Sequence, residues 1–180
     1  YDADDSRRLL QMIGRDMGLD IKRYSPRLLS VAISNLKNEL VDPDRAVSNL
    51  TDDSDDLART VAAVYAEYQR RLRAANALDF DDLIGETVAV LQTFPQIAQY
   101  YRRRFRHVLV DEYQDTNVCQ YRLVQLLTGV RAMFTAVGDD DQAIYAWRGA
   151  TIENLAKLTT DYPNLKLIKL EQNYRSVQRI

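Results

Sequence analysis

The stretch VLVDEYQDT, residues 108–116, decides the fold class that the sequence predicts. Three apolar β-forming residues, Val108 to Val110, are typical of a buried strand and lead directly into Asp111 and Glu112. Ligands of open parallel sheets bind beyond the carboxyl ends of the strands. Two interpretations are therefore open. The strand ends in solvent, or Asp111 binds Mg²⁺ while Glu112 orients or deprotonates an attacking water.

The sequence after residue 78 alternates short β-rich runs with helical patterns. MFTAVGD (133–139) and LKLIKLE (165–171) join VLVDE as expected strands, and NVCQYRLVQLLTG (117–129) and TIENLAKLTT (151–160) are expected helices. Strands that alternate with helices predict an α/β fold with a parallel sheet. The second strand also runs into acids, in GDDDQ, so two strand ends carry carboxylates.

The sequence before residue 78 is helical in pattern. SPRLLSVAISNLKNEL offers Ser25 as an N-cap and Pro26 at the first helical position. Apolar residues recur at helical spacing in two segments: Leu29, Ile33, Leu36 and Leu40 in the first, and Leu57, Val61, Tyr65, Tyr68 and Leu72 in the second. We therefore predict an all-helical subdomain over residues 1–78, followed by an α/β part over residues 79–180.

Composition places the chain among globular proteins, with 46% hydrophobic and 28% charged residues. No apolar run approaches the roughly 20 residues that cross a bilayer, so we expect no membrane association. The single cysteine, Cys119, excludes an internal disulfide and suits a reducing, cytoplasmic setting. Because the formal net charge is -2, any nucleic-acid surface must be local.

Four strings resemble the superfamily-1 DNA helicases of the UvrD/Rep/PcrA type. DEYQDT (111–116) looks like their motif II, GDDDQAIYAWRGA (138–150) like motif III and LEQNYRS (170–176) like motif IV. LDFDDL (78–83) matches a further family element, and the helical first part looks like the inserted subdomain 1B. The resemblance implies a partial RecA-like parallel sheet of the P-loop NTPase type with flanking helices, over residues 79–180.

The resemblance also implies roles for individual residues on the ATP side. Asp111 would hold Mg²⁺, Glu112 would be the catalytic base and Gln142 would touch the γ-phosphate. Tyr174 would stack on the nucleotide base and Arg175 would reach the γ-phosphate. Asp115 and Asp139 would connect motifs II and III.

A second group of implied roles concerns single-stranded DNA. Tyr145 and Trp147 would line the path of the strand, because aromatic faces stack on unpaired bases without reading sequence. Arg148 would contact phosphate or brace the ATP site. The expected activity is ATP-dependent 3′→5′ translocation and unwinding in replication or repair. The expected partners are single-stranded DNA, junctions of single and double strands, and repair or replication proteins on the helical subdomain.

The chain departs from the family because it contains no G-x-x-x-x-G-K-[ST] phosphate loop. It starts with Tyr1 and stops just after a motif-like stretch. We therefore expect a segment of a larger helicase, which would not hydrolyse ATP in isolation.

Other interpretations stay open at this point. The acid clusters could belong to a metal-dependent nuclease or to a helicase-nuclease subunit of the same superfamily, and the helices could form a non-catalytic interaction module. LDFDDL could be only a helix start, with Asp79 as the cap and Asp82 near the dipole, or it could have a DNA-side role. RRRFR (102–106) could bind backbone phosphate, although a solvated basic face is the favoured interpretation.

Overall fold

The computed structural model describes residues 1–129, 133–139 and 153–172. Within these ranges the chain forms eight α-helices and two parallel strands. The helices are α1 (Ala3–Asp16), α2 (Pro26–Asn38), α3 (Pro43–Ser48), α4 (Asp56–Ala74), α5 (Phe80–Thr93), α6 (Pro95–Arg104), α7 (Val118–Thr128) and α8 (Glu153–Asp161). The strands are β1 (Val108–Val110) and β2 (Phe134–Ala136), and a 3₁₀ turn, Tyr113–Asp115, follows β1.

The helix starts follow the capping chemistry of the sequence. The Ser25 side chain accepts a hydrogen bond from the Leu28 amide, and Pro26 occupies the first turn of α2, as predicted. Asp79 caps α5 in a reciprocal capping box with Asp82. Pro95 lies just after α5 and is the first residue of α6. Proline suits this position because the N–H of a first-turn residue has no partner within the helix, so its absence costs nothing.

The first hydrophobic core lies among α1, α2, α3 and α4. Its buried members come from the predicted helical stripes and from α1: Leu10, Ile13, Tyr24, Leu29, Ile33, Ala46, Val61, Ala62, Val64, Tyr65, Tyr68 and Leu72. The predicted face of α2 is only partly correct, since Leu36 is half-buried and Leu40 lies beyond the helix with a φ of 58°.

Two smaller cores support the sheet. One joins α5, α6 and α7 through Val88, Leu91, Ala98, Cys119 and Leu126. The other lies beside the strands, where Tyr113, Tyr121 and Leu158 are buried. β1 and β2 pair in parallel, with Leu109 opposite Thr135, and α7 lies between them in the chain. This arrangement confirms a helix-rich α/β fold with a small parallel sheet.

Two sequence predictions about the strands are wrong. The segment LKLIKLE forms no strand, since residues 165–171 have no regular structure, and Leu167, Ile168 and Leu170 are exposed. A strand requires a hydrogen-bonding neighbour, and the sheet of the described residues consists of β1 and β2 alone. β1 is also not a buried strand, because Leu109 is 78% exposed. Only one face of the sheet packs against the third core.

We compared the length and hydropathy of the described helices with those of membrane-spanning helices. In the described ranges, none of the helices combines the length and the hydropathy needed to span a membrane.

A buried charge network joins α2 to the start of α5. The Lys37 ammonium donates hydrogen bonds of 2.7 Å to Asp79 Oδ2 and of 2.7 Å to Asp82 Oδ1. The Tyr68 hydroxyl donates to the same oxygen of Asp79 at 3.0 Å, and Gln69 Nε2 donates to the same oxygen of Asp82 at 3.1 Å. All five residues are buried. Each charge therefore has a charged partner and a further neutral contact.

The electrostatics of this network follow from its burial. Burial raises the pKa of Asp79, but the charge and hydrogen bond of Lys37 lower it further, so that the pKa lies below its ordinary value. The Lys37 ammonium also lies 5.2 Å from the Tyr68 ring centroid and 5.9 Å from that of Tyr65, distances at which a cation is attracted to an aromatic face. The Lys37 ammonium therefore contacts two carboxylates and two aromatic faces.

Replacement of Lys37 tests the network. Lys37→Met should lower the free energy of unfolding by about 3–5 kcal/mol, because two buried carboxylates lose their counter-ion. Urea unfolding of this chain, followed by circular dichroism, measures the loss.

The matched control is Lys22→Met, since Lys22 is exposed in a turn. It should change stability by less than about 0.5 kcal/mol. Adding Asp79→Asn and Asp82→Asn to Lys37→Met should recover part of the loss, because the uncompensated charges disappear. Equal effects of the two lysine substitutions would contradict the assigned role of Lys37.

Candidate functional site

The two carboxylates that the sequence singled out follow β1 directly and are exposed. The Glu112 amide donates to Asp111 Oδ1 at 2.9 Å, so the first carboxylate is fixed against the backbone. Glu112 itself adopts a left-handed conformation, with φ 48° and ψ 44°. Such a backbone costs a non-glycine residue about 1–3 kcal/mol and is common at functional sites. The turn directs the chain from β1 into the 3₁₀ segment.

Gln114 holds this strained turn from the inside. Its side chain is buried at 1% exposure, and its Nε2 donates to Glu112 Oε2 at 2.7 Å. Its Oε1 accepts from the Asp139 amide at 3.0 Å. One amide side chain therefore links the glutamate after β1 to the acid-bearing segment after β2. The Tyr113 amide adds a backbone bond to the Val137 carbonyl at 2.9 Å.

Gly138 gives Gln114 its space. A Cβ at position 138 would lie 3.0 Å from Gln114 Oε1 and 3.4 Å from Tyr113 Cβ. A larger residue there would press on the amide that positions Glu112. An alanine at position 138 would therefore require its neighbours to shift by a few tenths of an ångström, so the two strand-end segments meet at nearly contact distance.

The predicted site residues divide into two groups. Asp111, Glu112 and Asp139 lie at the ends of the two strands, where Gln114 joins Glu112 to Asp139. The remaining predicted site residues lie outside the described part of the chain: Gln142, Tyr145, Trp147, Arg148, Tyr174 and Arg175. Their roles stay predictions.

The Asp139 amide takes part in a contact between motifs II and III, where it donates to Gln114 Oε1. The described contacts run through Tyr113 and Gln114. Asp115 Oδ1 is buried, and no described residue donates a hydrogen bond to it. Sequence reasoning missed Gln114 because an amide between two acids has no distinctive spacing. Its one signal was a neutral polar residue inside a strand-end turn.

Lys37 was missed for a different reason. It continues the i, i+4 series of Leu29 and Ile33, which places it on the buried face of α2. A lysine on such a face requires an acid partner, and LDFDDL supplies two. The structure thus supports the helix-start interpretation of LDFDDL, with Asp79 as the cap and both acids in ion pairs with Lys37.

Two further single residues have structural roles. Cys119 is a buried core residue, and burial raises the pKa of its thiol to about 11. His107 Nε2 lies 2.9 Å from Thr135 Oγ1, where it ties the start of β1 to β2.

The donor set at the strand end is suited to a hard cation. The described residues contain no group of three or more histidine, cysteine or acidic side chains around one point. Mg²⁺ at nucleotide sites needs only one or two carboxylates, since waters and phosphate oxygens complete its coordination. Exposed Asp111, fixed by the neighbouring amide, fits this requirement.

These features define the class as an α/β protein with paired strand-end carboxylates and a helical layer before its sheet. The sequence model of the UvrD/REP helicase N-terminal domain matches residues 1–163. The chain belongs to this family.

Individual relatives agree with the family match. The chain is 72% identical over 187 aligned positions to ATP-dependent DNA helicase UvrD1 of Mycobacterium tuberculosis, covering 100% of the chain and 24% of the relative. Identity is 67% to UvrD1 of Mycobacterium leprae, again over 100% of the chain and 24% of the relative. It is 45% to ATP-dependent DNA helicase PcrA of Staphylococcus epidermidis, over 99% of the chain and 24% of the relative. The chain thus spans about a quarter of the length of these relatives.

A double-mutant cycle tests the packing of the site. Gly138→Ala should destabilise the chain by about 1–3 kcal/mol, since the new methyl group overpacks against Gln114. In a Gln114→Ala background the same substitution should cost clearly less, because the colliding oxygen is gone. Urea unfolding of the four proteins gives the coupling energy.

Gly85→Ala is the matched control, because a Cβ there meets no atom within 4 Å. It should be neutral or stabilising, as alanine favours a helix. Strict additivity of Gly138→Ala and Gln114→Ala would exclude the proposed contact.

Proposed function

We propose that this chain is a segment of an ATP-dependent 3′→5′ DNA helicase. It would comprise a 1B-like helical subdomain over residues 1–78 and the later part of a RecA-like ATPase domain over residues 79–180. The observation that carries the proposal is the strained Glu112 beside Asp111 at the end of β1, held by Gln114 against the segment after β2. Family membership and the names of the relatives support it.

The proposed chemistry assigns separate tasks to the two carboxylates. Asp111 would bind the Mg²⁺ that accompanies ATP, and this ion would neutralise charge on the phosphates. Glu112 would accept a proton from the attacking water. Gln114 would hold the Glu112 carboxylate in one orientation, since it donates to Oε2 from a buried position. Hydrolysis depends on such positioning more than on covalent chemistry.

The proposed coupling runs from the nucleotide to the DNA through the segment after β2. Gln142 would sense the γ-phosphate, with Tyr174 on the base and Arg175 as an arginine finger. Tyr145 and Trp147 would stack on the single strand, and Arg148 would contact its phosphate or the ATP site. The link between Glu112 and Asp139 supports this route, because it joins the hydrolytic residue to the segment that leads to Gln142.

The division near residue 78 is also part of the proposal. The first core contains residues up to Ala77, and the buried members of the other two cores begin at Val88. We propose that the helical part also contacts repair or replication proteins, and that the protein acts on strand junctions in the cytoplasm.

The role of Glu112 is tested in the full-length protein. Glu112→Gln should abolish DNA-stimulated ATP hydrolysis, with a loss of about 10²-fold or more, because the amide cannot accept a proton at neutral pH. ATP binding, followed with a fluorescent ATP analogue, should persist.

Two controls accompany this variant. Glu39→Gln changes an exposed acid after α2 and should leave hydrolysis unchanged. The isolated 180-residue chain should hydrolyse no ATP, because it has no phosphate loop. Full activity of Glu112→Gln, or DNA-stimulated hydrolysis by the isolated chain, would refute the corresponding part of the proposal.

The role of Trp147 is tested by substitution in the full-length protein. Trp147→Ala should weaken binding of single-stranded DNA by about 1–3 kcal/mol, as expected for loss of one stacked base. Unwinding per ATP hydrolysed should fall as well. A strand-displacement assay run beside an ATPase assay measures this ratio, and unchanged unwinding would count against stacking.

A further inference from the structure

The C-terminal end of α6 and the residues after it form an exposed surface that the ATP-side site does not include. We name it the α6 surface and define it by six side chains, all of which are exposed: Tyr100, Tyr101, Arg103, Arg104, Phe105 and Arg106. Three aromatic rings and three guanidinium groups thus lie within seven consecutive residues. Exposed aromatic rings of this density are unusual on a soluble surface and indicate a binding function.

The aromatic rings of the α6 surface are ordered against one another. Tyr101 and Phe105 stack with centroids 5.7 Å apart and planes at 26°. Tyr100 packs edge-on against Tyr101 at 5.2 Å and 82°, and its hydroxyl oxygen accepts from Arg104 Nη1 at 3.4 Å. Tyr100 is 55% and Phe105 44% exposed within this chain, so its own packing leaves part of each ring uncovered.

The cations of the α6 surface have no acid partners among the described residues. Arg7, Arg23, Arg70 and Arg71 each pair with a carboxylate, whereas Arg103, Arg104 and Arg106 form no such pair. The sequence from 94 to 110 contains no aspartate or glutamate at all. A chain with a net charge of -2 therefore concentrates uncompensated positive charge at one place.

Structural roles account for only part of this pattern. Arg102 is committed to the fold, because its Nε donates to the Leu126 carbonyl at 2.7 Å. Cations in the last turn of a helix also favour the negative end of its dipole, which explains Arg103 and Arg104 in part. The dipole explains neither Arg106, which lies beyond the helix, nor the exposed rings.

We propose that the α6 surface binds single-stranded nucleic acid, with the arginines on phosphates and the rings against unpaired bases. Stacking platforms that alternate with cations are the common chemistry of sequence-independent single-strand binding. An acidic protein partner would use the arginines, whereas a single strand presents phosphates at regular spacing with a planar base beside each one. The proposal rests on the proposed function, in which a single strand is the track.

The α6 surface would be a second contact, separate from the one expected at Tyr145 and Trp147. Residues 105–107 precede β1, and Asp111 follows it. At about 3.3 Å per strand residue, roughly 13 Å separates His107 from Asp111. The surface thus lies at the opposite end of β1 from the hydrolytic carboxylates.

The test uses the full-length protein and a fluorescein-labelled oligothymidylate, with binding followed by anisotropy over a range of salt concentrations. The triple variant Arg103→Ala, Arg104→Ala, Arg106→Ala should bind more weakly. Its plot of log affinity against log salt should become shallower by about 2, at roughly 0.7 per lost phosphate contact. Replacing the same three residues by lysine should retain most of the slope.

A second variant separates stacking from charge. Tyr100→Leu with Phe105→Leu keeps apolar bulk but removes two aromatic faces. Affinity should fall by about tenfold or more, while the salt slope stays unchanged. Thermal melts of every variant confirm folding.

The matched control is the triple variant Arg7→Ala, Arg8→Ala, Arg15→Ala, which removes three exposed arginines from α1. It changes the net charge equally and should leave the slope within about 0.5 of the wild-type value. The outcomes are distinguishable. Wild-type protein that binds no oligothymidylate overturns the proposed function and this inference together. Wild-type binding with unchanged affinity in both α6 variants overturns this inference alone.

Discussion

The Lys37 side chain places an ammonium group in the protein interior. The contact between α2 and α5 depends on the two carboxylates that pair with this group. Asp79 and Asp82 are the first and fourth residues of one capping box, so the helix start presents two carboxylates at fixed spacing. The lysine reaches both at 2.7 Å. Breaking a buried pair costs much more than forming it contributes, because the remaining charge has no solvent. Any packing that separates Lys37 from the two acids is therefore strongly unfavourable.

The position of the interface determines where the strands can lie. α5 packs with α6 and α7 through the second core, and α7 connects β1 to β2. The capped start of α5 thus orients the helices on which the sheet rests. After β1, Glu112 adopts a strained left-handed backbone. The buried Gln114 side chain holds this turn with two hydrogen bonds, one to Glu112 and one to Asp139. The packed helices of the second core support the sheet, and this support allows the strained backbone of Glu112 to persist.

Most helices could be predicted from the sequence, because caps and apolar periodicity are local signals. Ser25, Pro26 and Asp79 act as those signals indicate. The strands were harder, since pairing depends on distant segments: residues 165–171 have strand composition, but they pair with no other segment in the described part of the chain. The acids of the site were visible as a motif. The buried amide that positions one of them was not, because its role arises from a contact with a segment 25 residues away.

The placement of charge along β1 explains how one small sheet could serve two anionic ligands. Acids at its carboxyl end suit a nucleotide only together with a metal ion, whereas free arginines at its amino end suit phosphates directly. Placed side by side, the two groups would neutralise each other. The roughly 13 Å between them exceeds the Debye length of about 8 Å at physiological ionic strength. Since solvent ions screen exposed charges over that distance, each end of the strand keeps its own sign. A net charge of -2 is therefore compatible with one acidic and one basic region on the same sheet. Composition alone excludes neither a nucleotide nor a nucleic-acid strand as a ligand.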